Sequence, residues 1–318
     1  ILDRIRTKVQ GQNFTLFESN ILDRIRTKVQ GQNFTLSESN VLDLIRTKVQ
    51  DEFHPIKLLQ RDLPTGPDVY GNIERMVGKA AYRMRRIETD YINPIAETMR
   101  KANLSLADVD EYLYALHAEE RNREMAKLNR GQQGLSGMSD ADAQAIKARW
   151  ANNAAMKEVA RMVRQLNDET LDGMVADGLI SQADADQWRA TYQNYVPLRT
   201  NIEDDIGQGF RPGKGFQIRG RESKRALGRT SEADSPLIWS ILQANEKAVR
   251  GEKNKVGQAL LELVEANPDP DLWSVDSIPQ VRQLRNGTVT FVDDPQFKNR
   301  DDVIVVLNVV HTKRQFPN

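Results

Sequence analysis

Residues 235–268 read SPLIWSILQANEKAVRGEKNKVGQALLELVEANP, and this stretch decides the fold class. Ser235 followed by Pro236 marks a helix start, because the serine oxygen can accept a free first-turn amide and proline at the first helical position gives up no hydrogen bond. Ile238, Ile241, Leu242, Val249, Val256, Leu260, Leu263 and Val264 then recur at helical spacing. Asn267-Pro268 stops the run near Ala266. Gly251 and Gly257 interrupt it, which predicts close helix packing or a bend. Lys247, Arg250, Lys253 and Lys255 crowd the middle, partly cancelled by Glu246 and Glu252, and predict a solvated face.

The same signals recur toward the N-terminus. Ser105 with Asp108, Ser139 with Asp142, and Ser181 with Asp184 each set a capping serine three residues before an acid, a loose capping box. They predict helices through VDEYLYALHAEERNREMAKL, from Ser139 to about Val163 or beyond, and through Trp188 and Tyr192 until Pro197. An earlier helical run spans Ile73 to Met99, interrupted by Pro94, and its polar face carries Arg75, Lys79, Arg83, Arg85, Arg86 and Arg100. Pro64-Thr65-Gly66-Pro67 reads as a linker, and Gly131, Gly134 and Gly137 as a loop. On the C-terminal side the period changes. Asn286-Gly287 is a hairpin-turn dipeptide before Val289, Phe291 and Val292. Asp302 to Leu307 has a buried-strand pattern, so a small β element begins there and reads as cut short.

The first fifty residues repeat themselves. ILDRIRTKVQGQNFTLFESN (1–20) recurs at 21–40 with one change, Phe17 to Ser37, and a decayed third copy starts at Val41. Ile1, Leu2, Ile5 and Val9 share a helical face. Twenty residues at about 100° each leave successive faces about 200° apart, so one coiled-coil seam fails and short separate helices fit better. Recent duplication explains the near-identity more readily than a functional repeat does.

Composition narrows the function classes. The 318 residues suggest two or three domains. Forty-five Lys plus Arg balance 45 Asp plus Glu, which excludes a surface that is one polyanion-binding field but not a local basic patch. The chain has no cysteine, so disulfides, thiolate catalysis and cysteine-held metals are excluded. No run approaches the roughly 20 apolar residues of a membrane span. A chain that starts at Ile1 and ends just after an apolar run reads as a piece of something longer. The expected architecture is mainly α, an extended multi-helix assembly with a small β element at the C-terminal end. Its parts would be a repeated helical arm (1–60), a helical domain (61–200), a basic Gly-rich loop (201–234), a long helix (235–275) and the β element (276–318).

Chemistry-bearing residues are few. His117 with Glu119 and Glu120 invites a metal or acid–base reading, but no second histidine lies one turn away as a zinc-binding helix requires, so a packed or solvent-edge histidine is expected. Asp204-Asp205, Asp293-Asp294 and Asp301-Asp302 are adjacent pairs whose side chains point apart in extended chain, and read as solvated loop charge. The best candidate is 207–229, GQGFRPGKGFQIRGRESKRALGR. Arg211, Lys214, Arg219, Arg221, Lys224, Arg225 and Arg229 face one acid, Glu222, with Phe210 and Phe216 interleaved. Cations, glycines and rings together suit phosphates and bases. A P-loop is rejected, because Gly215 follows Lys214 and Gln208 stands where the first glycine belongs. The same loop could instead wrap an acidic neighbour such as Glu203-Asp204-Asp205.

The segments DEYLYALHAEERNREMAKLN, GLSGMSDADAQAI, GLISQADADQWRATYQNYVPLRT, RGRESKRALGRTSEADSPL and EKNKVGQALLELVEANPDPDLW, taken in order over roughly residues 50–275, resemble the phage large polyvalent proteins and their associated helical domains. Tyr195-Val196-Pro197-Leu198-Arg199 is similar to the element that names the PLxRFG-type proteins, although Thr200-Asn201 replace the Phe-Gly that name implies. The resemblance implies a connector between enzymatic modules, packaged in the virion and delivered with the DNA into the host cytoplasm or envelope. It implies as partners the other domains of a long chain, copies of itself or other virion proteins, and double-stranded DNA. It supplies no catalytic residues and no cofactor. The alternatives are a nucleic-acid-binding module centred on 207–229, or an accessory region of a virion enzyme such as an RNA polymerase or a methyltransferase–helicase polyprotein.

Overall fold

The computed structural model describes residues 13–16, 53–63, 65–128, 135–199, 233–270, 273–276, 279–285, 288–294, 296 and 303–306. It is mostly helical. The helices are α1 (His54–Asp62), α2 (Val69–Ile87), α3 (Asn93–Lys101), α4 (Leu106–Leu128), α5 (Asp140–Arg149), α6 (Ala154–Ala176), α7 (Gln182–Thr191) and α8 (Pro236–Ala266), with a π-helical turn at Glu88–Ile92 between α2 and α3. The strands are β1 (Asn13–Leu16), β2 (Trp273–Asp276), β3 (Gln280–Arg285), β4 (Thr288–Asp293) and β5 (Val303–Val305). The chain divides into two compact units. The described residues of the first lie within 1–77 and 252–318, and those of the second within 78–212 and 221–251.

The caps form where the serines are. Ser139 accepts from Asp142 N–H, and Ser181 from Asp184 N–H, at 3.1 and 3.0 Å. Ser105 and Asp108 make the reciprocal box, each backbone N–H reaching the other's side chain at 3.1 Å. Ser235 accepts from Ile238 N–H at 3.2 Å. Each such cap contributes about 1 kcal/mol. The helix expected from Ser139 to Val163 is two helices. Trp150 ends α5 and Asn153 starts α6, its side chain accepting from Met156 N–H at 2.9 Å. Asparagine competes for backbone hydrogen bonds in just this way, and Asn152-Asn153 supplies the break.

In the second unit, Val109, Tyr112 and Leu113 of α4 pack with Met156, Val159, Val163 and Leu166 of α6, Ile95 of α3, Val196 and Leu237. Asn122 of α4 pins the start of α5. Its amide donates to Met138 O (2.9 Å) and Asp140 Oδ1 (2.6 Å), and its carbonyl accepts from Ser136 N–H (2.7 Å). In the first unit, Ile56 of α1 and Val69, Ile73 and Met76 of α2 pack with Val256, Leu260, Leu263 and Val264 of α8, Trp273 and Val306. Gly66, at φ +137°, lies against Leu263 so closely that a side chain would not fit. Of the Pro64–Pro67 stretch, expected as a linker, the described residues 65–67 are therefore held against the core of this unit.

Two expectations are corrected. The middle of α8 is no solvated face: Lys247, Glu252 and Lys253 are buried, all three make polar interactions, and Lys255 reaches Glu252 at 2.9 Å. Apolar periodicity locates one buried stripe but cannot show that the opposite side is covered too. The repeated arm is not wholly helical either. Asn13–Leu16 of its first copy is strand β1, central in a sheet of order β2-β1-β5 and antiparallel to both neighbours. It pairs Asn13 with Asp276 and Leu16 with Trp273 on one side, and Thr15 with Val303 on the other. Phe and Thr favour strands, and the partners are distant in sequence. Strands β3 and β4 pair antiparallel with Arg285 opposite Thr288, so the two residues Asn286 and Gly287 join them as expected of a hairpin. Val303–Val305 forms β5 inside the predicted strand pattern.

Candidate functional site

Pro94 shapes a concave place in the second unit. Its nitrogen carries no proton, and its ring would collide with the carbonyl four residues back, that of Asp90, in a regular helix. Glu88–Ile92 widens instead into a π-turn, in which Asn93 N–H bonds the carbonyl of Glu88. The wider turn puts Tyr91 in the core and Asp90 on the rim of a cleft of about 190 Å³. Arg83, Arg86, Glu169, Thr170 and Lys247 supply its other polar groups, and Ile87, Leu166, Ala244 and Ala248 its apolar wall. Isolated π-turns often occur at functional sites.

The polar groups of this cleft are occupied by one another. Arg83 donates to Asp177 at 2.6 Å, a pair whose carboxylate is 3% exposed. Arg86 reaches Asp90 one helical turn on, at 3.4 Å. Burial, and then the hydrogen bond to Glu169, hold the Tyr91 hydroxyl far above the usual tyrosine range, so it is a donor and not a base. Thr170 donates to Leu166 O at 2.7 Å, and Lys247 is engaged as well. The volume falls below the roughly 300–1,000 Å³ of ordinary ligand pockets. The cleft has room for waters or one small polar group. No nucleophile there stands beside a base, and among the described residues no group of His, Asp and Glu could hold a metal ion.

The second polar constellation surrounds His117 on α4. The ring is fully buried. It meets Tyr192 and Tyr195 edge-on, with centroids 5.2 and 5.6 Å apart. Neither ring nitrogen has a hydrogen-bond partner. The nearest acid, Glu120, lies 3.9 Å from Nδ1, beyond hydrogen-bond reach. Glu120 instead accepts from the backbone N–H and side-chain amide of Asn194, at 3.1 and 3.2 Å. Burial works to raise its carboxyl, but the imidazole and the Asn194 donors outweigh that and hold it below its ordinary range. Burial, opposed by the neighbouring Glu120 and helped by the Arg121 charge, pushes the His117 imidazole down. The expected packed histidine is what the fold contains.

The seven cations Arg211, Lys214, Arg219, Arg221, Lys224, Arg225 and Arg229, with Phe210 and Phe216, lie outside the described residues, as do Asp204-Asp205 and Asp301-Asp302. Of the acidic pairs, Asp294 is used locally: its carboxylate accepts from Gln296 N–H at 2.8 Å. Of the basic α2 face, Arg83 turns inward to Asp177, while Lys79, Arg85 and Arg86 stay exposed. Sequence reading did not find the Tyr91–Glu169 pair or the Asn122 hub. Pro94 was the available signal for the first, and the second had none. Comparison with family models, curated proteins and solved structures yields no match.

Proposed function

We propose that this chain is a non-enzymatic connector segment of a large phage protein, carried in the virion and delivered with the DNA. One observation supports the reading above the others. Within the second unit, three of the segments that carry the phage resemblance, DEYLYALHAEERNREMAKLN, GLSGMSDADAQAI and GLISQADADQWRATYQNYVPLRT, are fastened to one another by their own polar residues. Glu120 of HAEE clamps Asn194, just before the YVPLR element. Asn122 of the same segment pins GLSGMSDADAQAI through Ser136, Met138 and Asp140. Asn167 of α6 donates to the Tyr195 carbonyl at 2.8 Å. A shared pattern spent on internal fastening suits a spacer better than a reaction centre.

The test is to find the protein in purified phage particles by mass spectrometry, and to locate it by cryo-microscopy inside the capsid or along the ejection path. Absence from particles overturns the proposal, and so does turnover of any substrate by the isolated chain. The second reading, a nucleic-acid-binding module centred on 207–229, is favoured by seven cations against one acid in that glycine-rich segment. It keeps the connector role and adds DNA as a partner.

A further inference from the structure

A buried histidine with two unbonded nitrogens is an uncommon arrangement, because a polar group removed from water costs stability unless it is paired. Here it sits where α4 holds the turn that follows α7. Tyr192 and Tyr195 close over the ring, and Asn194 between them is fastened by Glu120, one helical turn from His117. We propose that His117 and Glu120 form an acid-sensitive latch that holds Tyr192–Tyr195 against α4 when the imidazole is neutral and releases it when the imidazole gains a proton.

The geometry explains the release. A charged imidazole needs an acceptor or water, and the edge-on tyrosine rings provide neither. The one carboxylate near it, Glu120, accepts from both Asn194 donors and lies 3.9 Å from Nδ1, so it must shift from its present position to reach a charged ring. Protonation therefore either draws Glu120 off Asn194 or drives the ring out from between the tyrosines, and both routes undo the fastening.

The other ionisable groups around the site do not share the task. Arg121, on α4, is a permanent cation that opposes a second positive charge. Glu120 stays ionised through mildly acid pH, since its carboxyl is held low. The hydroxyl of Tyr192 is pushed up, chiefly by burial, and stays protonated. Glu124 acts on Tyr192 only weakly. Arg199 lies 4.0 Å from Glu246 of α8, and Gln243 of α8 meets the Tyr195 hydroxyl. The direction of the imidazole's displacement agrees with the geometry. The latched state binds fewer protons than the open one, so the latch is complete above the free histidine value of about 6.5 and weakens as pH falls below it.

Hydrogen exchange on the full chain, corrected for the intrinsic pH dependence of amide chemistry, reads the opening at residues 192–195. One linked proton raises the opening constant by about tenfold per pH unit below about pH 6.5, until the latched histidine itself titrates. Peptides from α6 should not change over the same range. His117→Phe keeps the ring packing and removes the proton site, so its opening should be flat with pH. The latch is refuted by a flat wild-type profile, by an equal slope in His117→Phe, or by the same slope throughout the second unit. Should His117→Phe not fold, the wild-type imidazole signal decides, and only three histidines need assigning. Its titration and the opening must share one pH window, and separate windows overturn the proposal.

Discussion

Gly251 stands inside α8 with no helical reason to be glycine. A Cβ built there would fall inside the van der Waals radius of Asp177 Oδ2, 2.5 Å from its Cγ and 3.0 Å from Arg83 Nη1. In an exposed helix, Gly→Ala gains up to about 1 kcal/mol. At Gly251 the methyl group instead displaces a buried carboxylate from its guanidinium. Breaking a buried pair costs about 3–5 kcal/mol. Arg83 is 28% exposed and keeps some water, so about 2–3 kcal/mol is the reasonable loss. Against the helix gain, Gly251→Ala should be destabilising by about 1–2 kcal/mol. Gly78 of α2 is the control. It is exposed, nothing lies within 4 Å of its would-be Cβ, and Gly78→Ala should stabilise by about 0.5–1 kcal/mol. Urea unfolding followed by circular dichroism measures both. Truncating Asp177 in the Gly251→Ala background should recover part of the loss, because the two positions touch. If Gly251→Ala is neutral or stabilising, or if the two glycines respond alike, the packing argument is wrong.

Asn122→Ala should cost about 2–3 kcal/mol, since it leaves the buried Ser136 N–H unpaired and removes the donor to Met138 O and Asp140; the equal-sized Asn122→Asp should be as damaging in thermal unfolding, because it sets two carboxylates together, and a benign Asp variant would show that packing alone matters. Replacing Arg219, Arg221, Lys224 and Arg225 with alanine should make the dependence of log affinity for duplex DNA on log salt shallower by about 3–4 in fluorescence-anisotropy titrations, about 0.9 for each phosphate that is no longer neutralised. No binding by the parent chain, or binding indifferent to salt, removes the nucleic-acid reading.

Helix starts were legible because they are local. Ser105, Ser139, Ser181 and Ser235 each satisfy an amide within three residues, so sequence neighbours carry the whole signal. The breaks were less so. Asn152-Asn153 splits a run whose composition favours helix throughout, and Pro94 forces a π-turn where the pattern permits a kink, a break or a bulge. Strand β1 was illegible for a different reason. Its partners, β2 and β5, lie at the far end of the chain, and such pairing leaves no mark on the four residues concerned. Asn13-Phe14-Thr15-Leu16 recurs unchanged at Asn33-Phe34-Thr35-Leu36, so those four residues alone do not single out the first copy. The burial of Lys247, Glu252 and Lys253 was hidden similarly, because apolar periodicity marks one buried stripe and does not show which charged residues beside it are covered.

The candidate site was illegible because its polar groups converge in pairs rather than on a shared point. An active centre announces itself when several titratable groups face one space with capacity left over. Arg83 answers Asp177, Arg86 answers Asp90, Tyr91 answers Glu169, and Glu120 answers Asn194. All but Arg86–Asp90, which are one helical turn apart, join separate stretches of chain, and each leaves little for a ligand. Polar groups used this way act as fasteners and make the fold specific. His117 breaks that pattern: its buried ring packs edge-on against Tyr192 and Tyr195, while neither nitrogen is hydrogen-bonded, so its contribution is made by packing and not by polar fastening.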